Sequence, residues 1–205
     1  DETSLENHVV SPDGKIVAFA GRDGYVILVD TQSKHWIADL KMNGSVKAMC
    51  FSPDGQHIFA SGSDGDVYVW DIKSRKCQQR FHNQDGTVTT SLAVSSQYVA
   101  VGAASGVVNM YNNPCVPANH QDIPPTPIKS LMNIQTGISK IGFNEDGEIM
   151  GFSSQKEKDC FKLLHVPSNT VFANWPTSKT PLGYAWSLDF SPQSKYLAIG
   201  NDKGK

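Results

Sequence analysis

The sequence predicts an all-β chain folded as a propeller, on three observations. A unit of short apolar strands and compact turns recurs along the 205 residues. Its spacing is regular: the hairpin glycine moves 41 residues from Gly24 to Gly65, and 41 again from Gly65 to Gly106. A period of about 40–45 residues built from short strands is that of propeller blades, not of stacked helix pairs. The strands are also apolar on successive residues, as expected of sheets covered on both faces.

The clearest unit is 51–71. Ser52-Pro53-Asp54-Gly55 makes a turn: Pro53 presets φ at the second turn position, and Gly55 can take the positive φ that most residues avoid. An apolar strand at 58–60 follows, then Asp64-Gly65, a hairpin signal between two β-rich runs. The unit closes on Val67, Tyr68, Val69 and the dipeptide Trp70-Asp71, which marks a WD40 blade. The predicted fold is therefore an all-β WD40 β-propeller.

The elements follow in order. The first blade covers 8–41, with strands at 8–10, 16–20, 25–30 and 35–41 around the turns Ser11-Pro12-Asp13-Gly14 and Asp23-Gly24. The second covers 46–81, with strands at 46–51, 58–61, 67–71 and 77–81. The third covers 88–132, with strands at 88–94, 98–102, 107–111 and 128–132. Its last two strands are separated by residues 112–126, where Pro114, Pro117, Pro124 and Pro125 cannot donate to a sheet ladder, so a loop is expected. The fourth covers 138–174, with strands at 138–143, 149–153, 161–165 and 171–174. A fifth, 185–205, has strands at 186–190 and 196–199 and lacks its last two. Four blades and part of a fifth leave sheet edges open, and a propeller removes its edges by closure. The expectation is a fragment of a longer, seven-bladed propeller that is unstable alone; a complete small propeller is the alternative.

Bulk chemistry narrows the function. Eighteen basic residues against twenty acidic ones give a net charge of −2, which provides no general nucleic-acid-binding field. No run approaches the roughly 18 apolar residues of a membrane helix. Cys50, Cys77, Cys115 and Cys160 are scattered without a C-x-x-C pair, which suits reduced thiols. The six histidines show no metal-ligand spacing, and no nucleophile elbow, P-loop or dinucleotide fingerprint is present. No enzyme activity, metal, cofactor, small-molecule substrate or membrane partner is expected. Asp23, Asp64 and Asp202 recur at equivalent hairpin turns, where a carboxylate can bond nearby amides; a shared binding ring is the other reading. Trp36, Trp70 and Trp186 are expected in blade packing, and Trp175 partly exposed.

Propeller geometry then sorts the loops. Turns between third and outer strands share one face. That face receives Lys34, the group Lys73, Arg75 and Lys76, the insertion with His120 and Asp122, and Ser168-Asn169. These residues form the candidate partner or RNA face, since insertions confined to one face of a repeat protein often mark its binding side. A plain solvated loop is the competing reading.

Several runs are distinctive beyond the generic repeat. They are Phe59-Ala60-Ser61-Gly62-Ser63-Asp64-Gly65-Asp66-Val67-Tyr68-Val69-Trp70-Asp71, then Arg75-Lys76-Cys77, then Gly106-Val107-Val108-Asn109-Met110-Tyr111, and the tail Gly200-Asn201-Asp202-Lys203-Gly204-Lys205. With them the chain resembles the U3 small nucleolar RNA-associated protein 18 family, WD-repeat subunits of the UTP-B complex in the small-subunit processome. The resemblance implies a non-catalytic nucleolar scaffold in pre-rRNA processing and small ribosomal subunit biogenesis. Its implied partners are other UTP-B and processome proteins, with pre-rRNA or small nucleolar RNA in the same assembly. The family's polar segment ahead of the propeller, which recruits RNA-degrading machinery, is not matched by these residues. The Gly-His dipeptide of many WD40 repeats is also absent: Asn43-Gly44-Ser45 and Asp85-Gly86-Thr87 stand in its loops, which puts the usual Trp–Ser–His–Asp network in doubt. A propeller that binds RNA directly through a local basic face is the alternative function.

Overall fold

The computed structural model describes residues 7–84, 87–115, 125–177 and 179–204. They form four four-stranded antiparallel meanders and one two-stranded sheet, the blades of a WD40 propeller. Blade one holds β1 (His8–Val10), β2 (Ile16–Ala20), β3 (Tyr25–Asp30) and β4 (Trp36–Lys41). Blade two holds β5 (Val46–Phe51), β6 (His57–Gly62), β7 (Asp66–Asp71) and β8 (Cys77–His82). Blade three holds β9 (Thr89–Val94), β10 (Tyr98–Ala103), β11 (Val108–Asn112) and β12 (Lys129–Leu131). Blade four holds β13 (Lys140–Phe143), β14 (Ile149–Ser153), β15 (Phe161–His165) and β16 (Thr170–Val171), and blade five β17 (Ala185–Phe190) and β18 (Leu197–Asn201).

The first turn of each blade is written in its side chains. In blade two the Gly55 amide donates to Ser52 O at 2.9 Å with φ +68° at Gly55. The His57 amide donates to Ser52 Oγ at 3.0 Å, and the Gln56 amide to Asp54 Oδ1 at 2.9 Å. Ser11 and Asp13 repeat this arrangement in blade one, with the Ile16 and Lys15 amides donating at 2.9 and 3.1 Å. Asn144 Oδ1 takes the serine's place in blade four, accepting the Ile149 amide at 2.8 Å.

Packing explains the unbroken apolar runs. Along β6, Ile58 and Ala60 pack with Ala18, Val26 and Leu28 of blade one, whereas Phe59 packs with Leu92, Val99 and Val101 of blade three. Alternate residues of one strand thus serve two different cores, the period-two consequence of a sheet covered on both sides. β7 divides the same way, Tyr68 and Trp70 toward blade one, Val67 and Val69 toward blade three. The outer β8 is mixed, with Phe81 buried and Cys77, Gln78, Arg80 and His82 exposed.

The innermost strands carry a shared irregularity. Register shifts fall between Val46 and Ala48 in β5 and between Ala185 and Ser187 in β17; in β9, Ser91 pairs Gly102 and Thr89 pairs Ala103. Lys47, Thr90 and Trp186 are therefore the extra residues of three equivalent bulges, a device that re-aims one side chain out of the sheet.

Several expectations need correction. Trp70 is buried as expected, but Trp36 and Trp186 are 63% and 55% exposed. Trp36 lies on an outer strand, where its indole Nε1 donates to Asp39 Oδ1 at 2.7 Å, and Trp186 is the bulge residue of the two-stranded last sheet. The fourth blade's outer strand is only Thr170–Val171, not 171–174. Asn112 closes β11 instead of opening a loop, and buried Asn113 donates from Nδ2 to Ser95 O at 2.9 Å. The stretch 116–124 lies outside the described residues.

Candidate partner-binding surface

In an antiparallel meander the first and third turns emerge at one end, so the candidate basic residues share that end with the serine turns. The aspartates that close β3 and β7 build the turns that present them. Asp30 Oδ1 accepts the amides of Gln32 and Ser33 at 3.0 and 2.7 Å and the Ser33 hydroxyl at 2.8 Å. Forty-one residues on, Asp71 Oδ1 accepts the Ser74 amide at 2.6 Å. The Asp of the Trp-Asp dipeptide is thus a turn cap, the local role expected of a short carboxylate. These bonds hold both carboxyls below their usual range: the Ser33 amide and then its hydroxyl act on Asp30, the Ser74 hydroxyl and then its amide on Asp71.

The turn sets the conformation of the basic residues. Lys34 and Arg75 occupy equivalent positions, their amides donating to Asp30 O and Asp71 O at 3.0 and 2.9 Å, with φ +60° and +58°. Few side chains adopt that left-handed region, and here the cap imposes it. Lys34, Lys73, Arg75 and Lys76 are all exposed, on adjacent blades at one end of the propeller. His120 and Asp122, the other two candidates, lie outside the described residues. On the same end, Ser52, Pro53, Asp54, Ser96, Asn113 and Cys115 line a cleft of about 370 Å³ between blades two and three. Burial, and secondarily Asp54, pushes the Cys115 thiol up to about 12.

The opposite end is tied down by polar networks. Tyr68 Oη donates to Asp64 Oδ2 at 2.8 Å and accepts the Asn43 amide at 3.2 Å. Tyr111 Oη donates to Asn83 Oδ1 at 2.8 Å and accepts the Gln84 amide at 3.1 Å; Asn109 Nδ2 donates to the same oxygen at 2.8 Å. Tyrosines and asparagines thus fasten the connections between blades one and two and between blades two and three. Asp159 Oδ1 accepts the Leu182 and Gly183 amides at 2.6 and 2.9 Å, and Asp202 Oδ1 the Tyr184 amide at 3.0 Å. Asp64 and Asp202 are therefore engaged in holding turns and connections. Among the described residues no group of three His, Cys, Asp or Glu could hold a metal ion.

A third cluster escaped the sequence reading. At this opposite end exposed Trp186 lies beside Gln155, whose Nε2 donates to Trp186 O at 2.9 Å, with exposed Lys156 next in the chain. Trp186 is the extra residue of the β17 bulge, and register is not written in residue types.

Comparison with known proteins is consistent along the chain. The family model for the WD domain, G-beta repeat, matches residues 36–71. The chain is 42% identical to the U3 small nucleolar RNA-associated protein 18 homolog of Homo sapiens and 41% identical to that of Arabidopsis thaliana, each over 100% of its length. It is 32% identical to U3 small nucleolar RNA-associated protein 18 of Saccharomyces cerevisiae over 98% of its length. It spans 37–38% of the length of these relatives. Among solved structures, a chain of the crystal structure of the mitotic checkpoint complex superposes with a TM-score of 0.76 at 17% identity, over 98% of this chain and 59% of the other, a likeness of fold alone.

Proposed function

Because the chain is homologous over its length to U3 small nucleolar RNA-associated protein 18 of animals, plants and fungi, we propose that it is a non-catalytic scaffold blade array of the UTP-B complex. In this reading it serves the small-subunit processome in the nucleolus, and its work is to hold other processome proteins while pre-rRNA is processed. That homology along the whole of this chain carries the proposal. The charge balance supports it, since affinity from counterion release needs a dense row of Lys and Arg, and 18 basic residues are outnumbered by 20 acidic ones. RNA contact is secondary and local in this account, at the end of the propeller that presents Lys34, Lys73, Arg75 and Lys76.

A triple charge reversal, Lys73→Glu with Arg75→Glu and Lys76→Glu, tests it in the full-length protein. All three residues are exposed and the Asp71 cap is untouched, so the fold survives. The variant is expected to stay in its protein subcomplex, while local RNA crosslinking falls and small-subunit rRNA maturation slows. Loss of the protein partners together with RNA would favour the alternative, an RNA-anchored propeller.

A further inference from the structure

The first turns of the blades form a row at one end of the propeller, and blade three breaks it. In the other blades the amide that opens this turn donates to a carbonyl five residues on: Ser11 to Ile16, Ser52 to His57, Asn144 to Ile149 and Ser191 to Tyr196. In blade three Ser95 reaches only to Tyr98, so that turn is two residues shorter. Full-length turns touch their neighbours. A Cβ placed on Gly55 would lie 3.6 Å from Pro12 Cδ, between blades one and two, and the Gln193 amide donates to Glu145 Oε2 at 2.6 Å, between blades four and five. Pro53 meets no such turn in blade three and lines the cleft of about 370 Å³ instead. Across the short turn a second cleft, of about 180 Å³, opens toward blade four. Ser96 lines both, so they meet over the short turn as one trough, flanked by a blade on each side. Its floor is fixed: the Tyr98 amide donates to Ser95 Oγ at 2.9 Å, and Asn113 Nδ2 to Ser95 O at 2.9 Å. The trough is also one-signed. Exposed Asp54 stands on the blade-two side, exposed Asp146 and Glu148 on the blade-four side, and the described residues that line it include no Lys, Arg or His. Asp54 commits Oδ1 to its own turn, and among the described residues Asp146 and Glu148 enter no ion pair.

We propose that this trough seats an extended, lysine-bearing segment of a partner protein, with ammonium groups at Asp54 on one side and at Asp146 and Glu148 on the other; this rests on the reading that the propeller holds proteins. Charge complementarity names the occupant. Three carboxylates without a cation among them attract a basic segment and repel phosphates, which turns RNA away from this sector of the surface. With Oδ1 of Asp54 engaged, a compact ammonium fits the remaining oxygen better than the paired fork of a guanidinium. Clefts of this size admit side chains and an extended backbone, not a helix about 10–12 Å across.

A carbodiimide, which joins carboxylates to amines in direct contact, provides the test on the assembly of the full-length protein recovered from nuclear extract. Mass spectrometry is expected to find Asp54, Asp146 or Glu148 joined to lysines of one co-purifying protein. Two variants then separate charge from shape. Asp54→Asn with Asp146→Asn and Glu148→Gln keeps the turn's acceptor and is expected to weaken retention of that protein by about threefold to a hundredfold, the span of three partly exposed ion pairs. Replacing Ser96 and Gln97 with the blade-two segment Pro53-Asp54-Gly55-Gln56 restores the five-residue turn, adds a carboxylate and fills the trough. That graft is expected to lose the same protein and keep the others. Should the graft fail to fold, the wild-type adducts decide. Absence of adducts to another protein, adducts only to lysines of this chain, ultraviolet crosslinks of RNA to the peptide that carries Ser96, or a folded graft that retains every partner would each overturn the proposal. Partners that survive RNA digestion while no adduct forms would overturn it and leave the scaffold reading standing; release of all partners with the RNA would overturn both.

Discussion

Replacing Tyr111 with Phe removes one hydroxyl from the buried network between blades two and three. The ring is fully buried and packs against Phe81 with centroids 5.2 Å apart, so the substitution leaves no cavity. The hydrogen bonds to Asn83 Oδ1 and from the Gln84 amide disappear. Asn83 keeps its bond from Asn109, and Gln84 is an exposed residue within reach of water. The loss is therefore near the value of one to two net hydrogen bonds, about 1–2 kcal/mol. For a chain of this size that lowers Tm by about 2–8 °C. Asn83→Ala should cost more, about 2–4 kcal/mol, because it removes the acceptor shared by the Asn109 amide and the Tyr111 hydroxyl. Thermal unfolding of the full-length protein and of the single and double variants checks this. The double variant is expected to be hardly worse than Asn83→Ala, a coupling of about 1 kcal/mol. Additive losses, or a Tyr111→Phe protein as stable as wild type, would refute the view that this network fastens the two blades.

Three further expectations follow from particular positions. Gly106 has φ +93° and its Cβ would sit 2.4 Å from Ile134 O, so Gly106→Ala should destabilise by more than about 1 kcal/mol in the same assay; a neutral result would contradict the tight approach of blades three and four. Asp30 and Asp71 have carboxyls held below the unfolded value, so the unfolded chain binds more protons, and the stability they contribute is complete above about pH 4 and lost as pH falls through their folded values; Asp71→Asn should flatten the acid limb of an unfolding profile, and an unchanged limb would argue against the cap. Burial raises the thiol of Cys50 to about 11 and that of Cys115 to about 12; it raises that of Cys77 as well, but Cys77 is the exposed one of the three, so iodoacetamide near neutral pH should label Cys77 first and the other two only after denaturation, as mass spectrometry of the peptides would show.

Much of the architecture is legible in local sequence because the determining interactions are local. Ser52, Asp54 and Gly55 close their own turn, and Asp71 caps the residues that follow it, so residue type and spacing suffice. The dry middle strands are legible for a similar reason: Phe59 and Ile58 are adjacent in sequence yet buried in different cores, which leaves a continuous apolar run. The rest depends on register and on distant partners. Nothing near Trp186 announces a bulge, and its environment depends on Gln155, 31 residues away. Asn83 and Tyr111 are 28 residues apart and look like loop and strand filler until the blades are stacked. Trp36 reads as core by composition, but it sits on an outer strand with no further sheet beyond it in its blade.

The central claim, that this propeller works by holding proteins, is tested most directly by a nuclease challenge of the wild-type assembly. The full-length protein is recovered from nuclear extract with and without RNA digestion, and the co-purifying proteins are quantified. The account predicts that its protein partners persist after digestion while the RNA is lost. Release of those partners once RNA is destroyed would contradict it and make the propeller an RNA-held subunit.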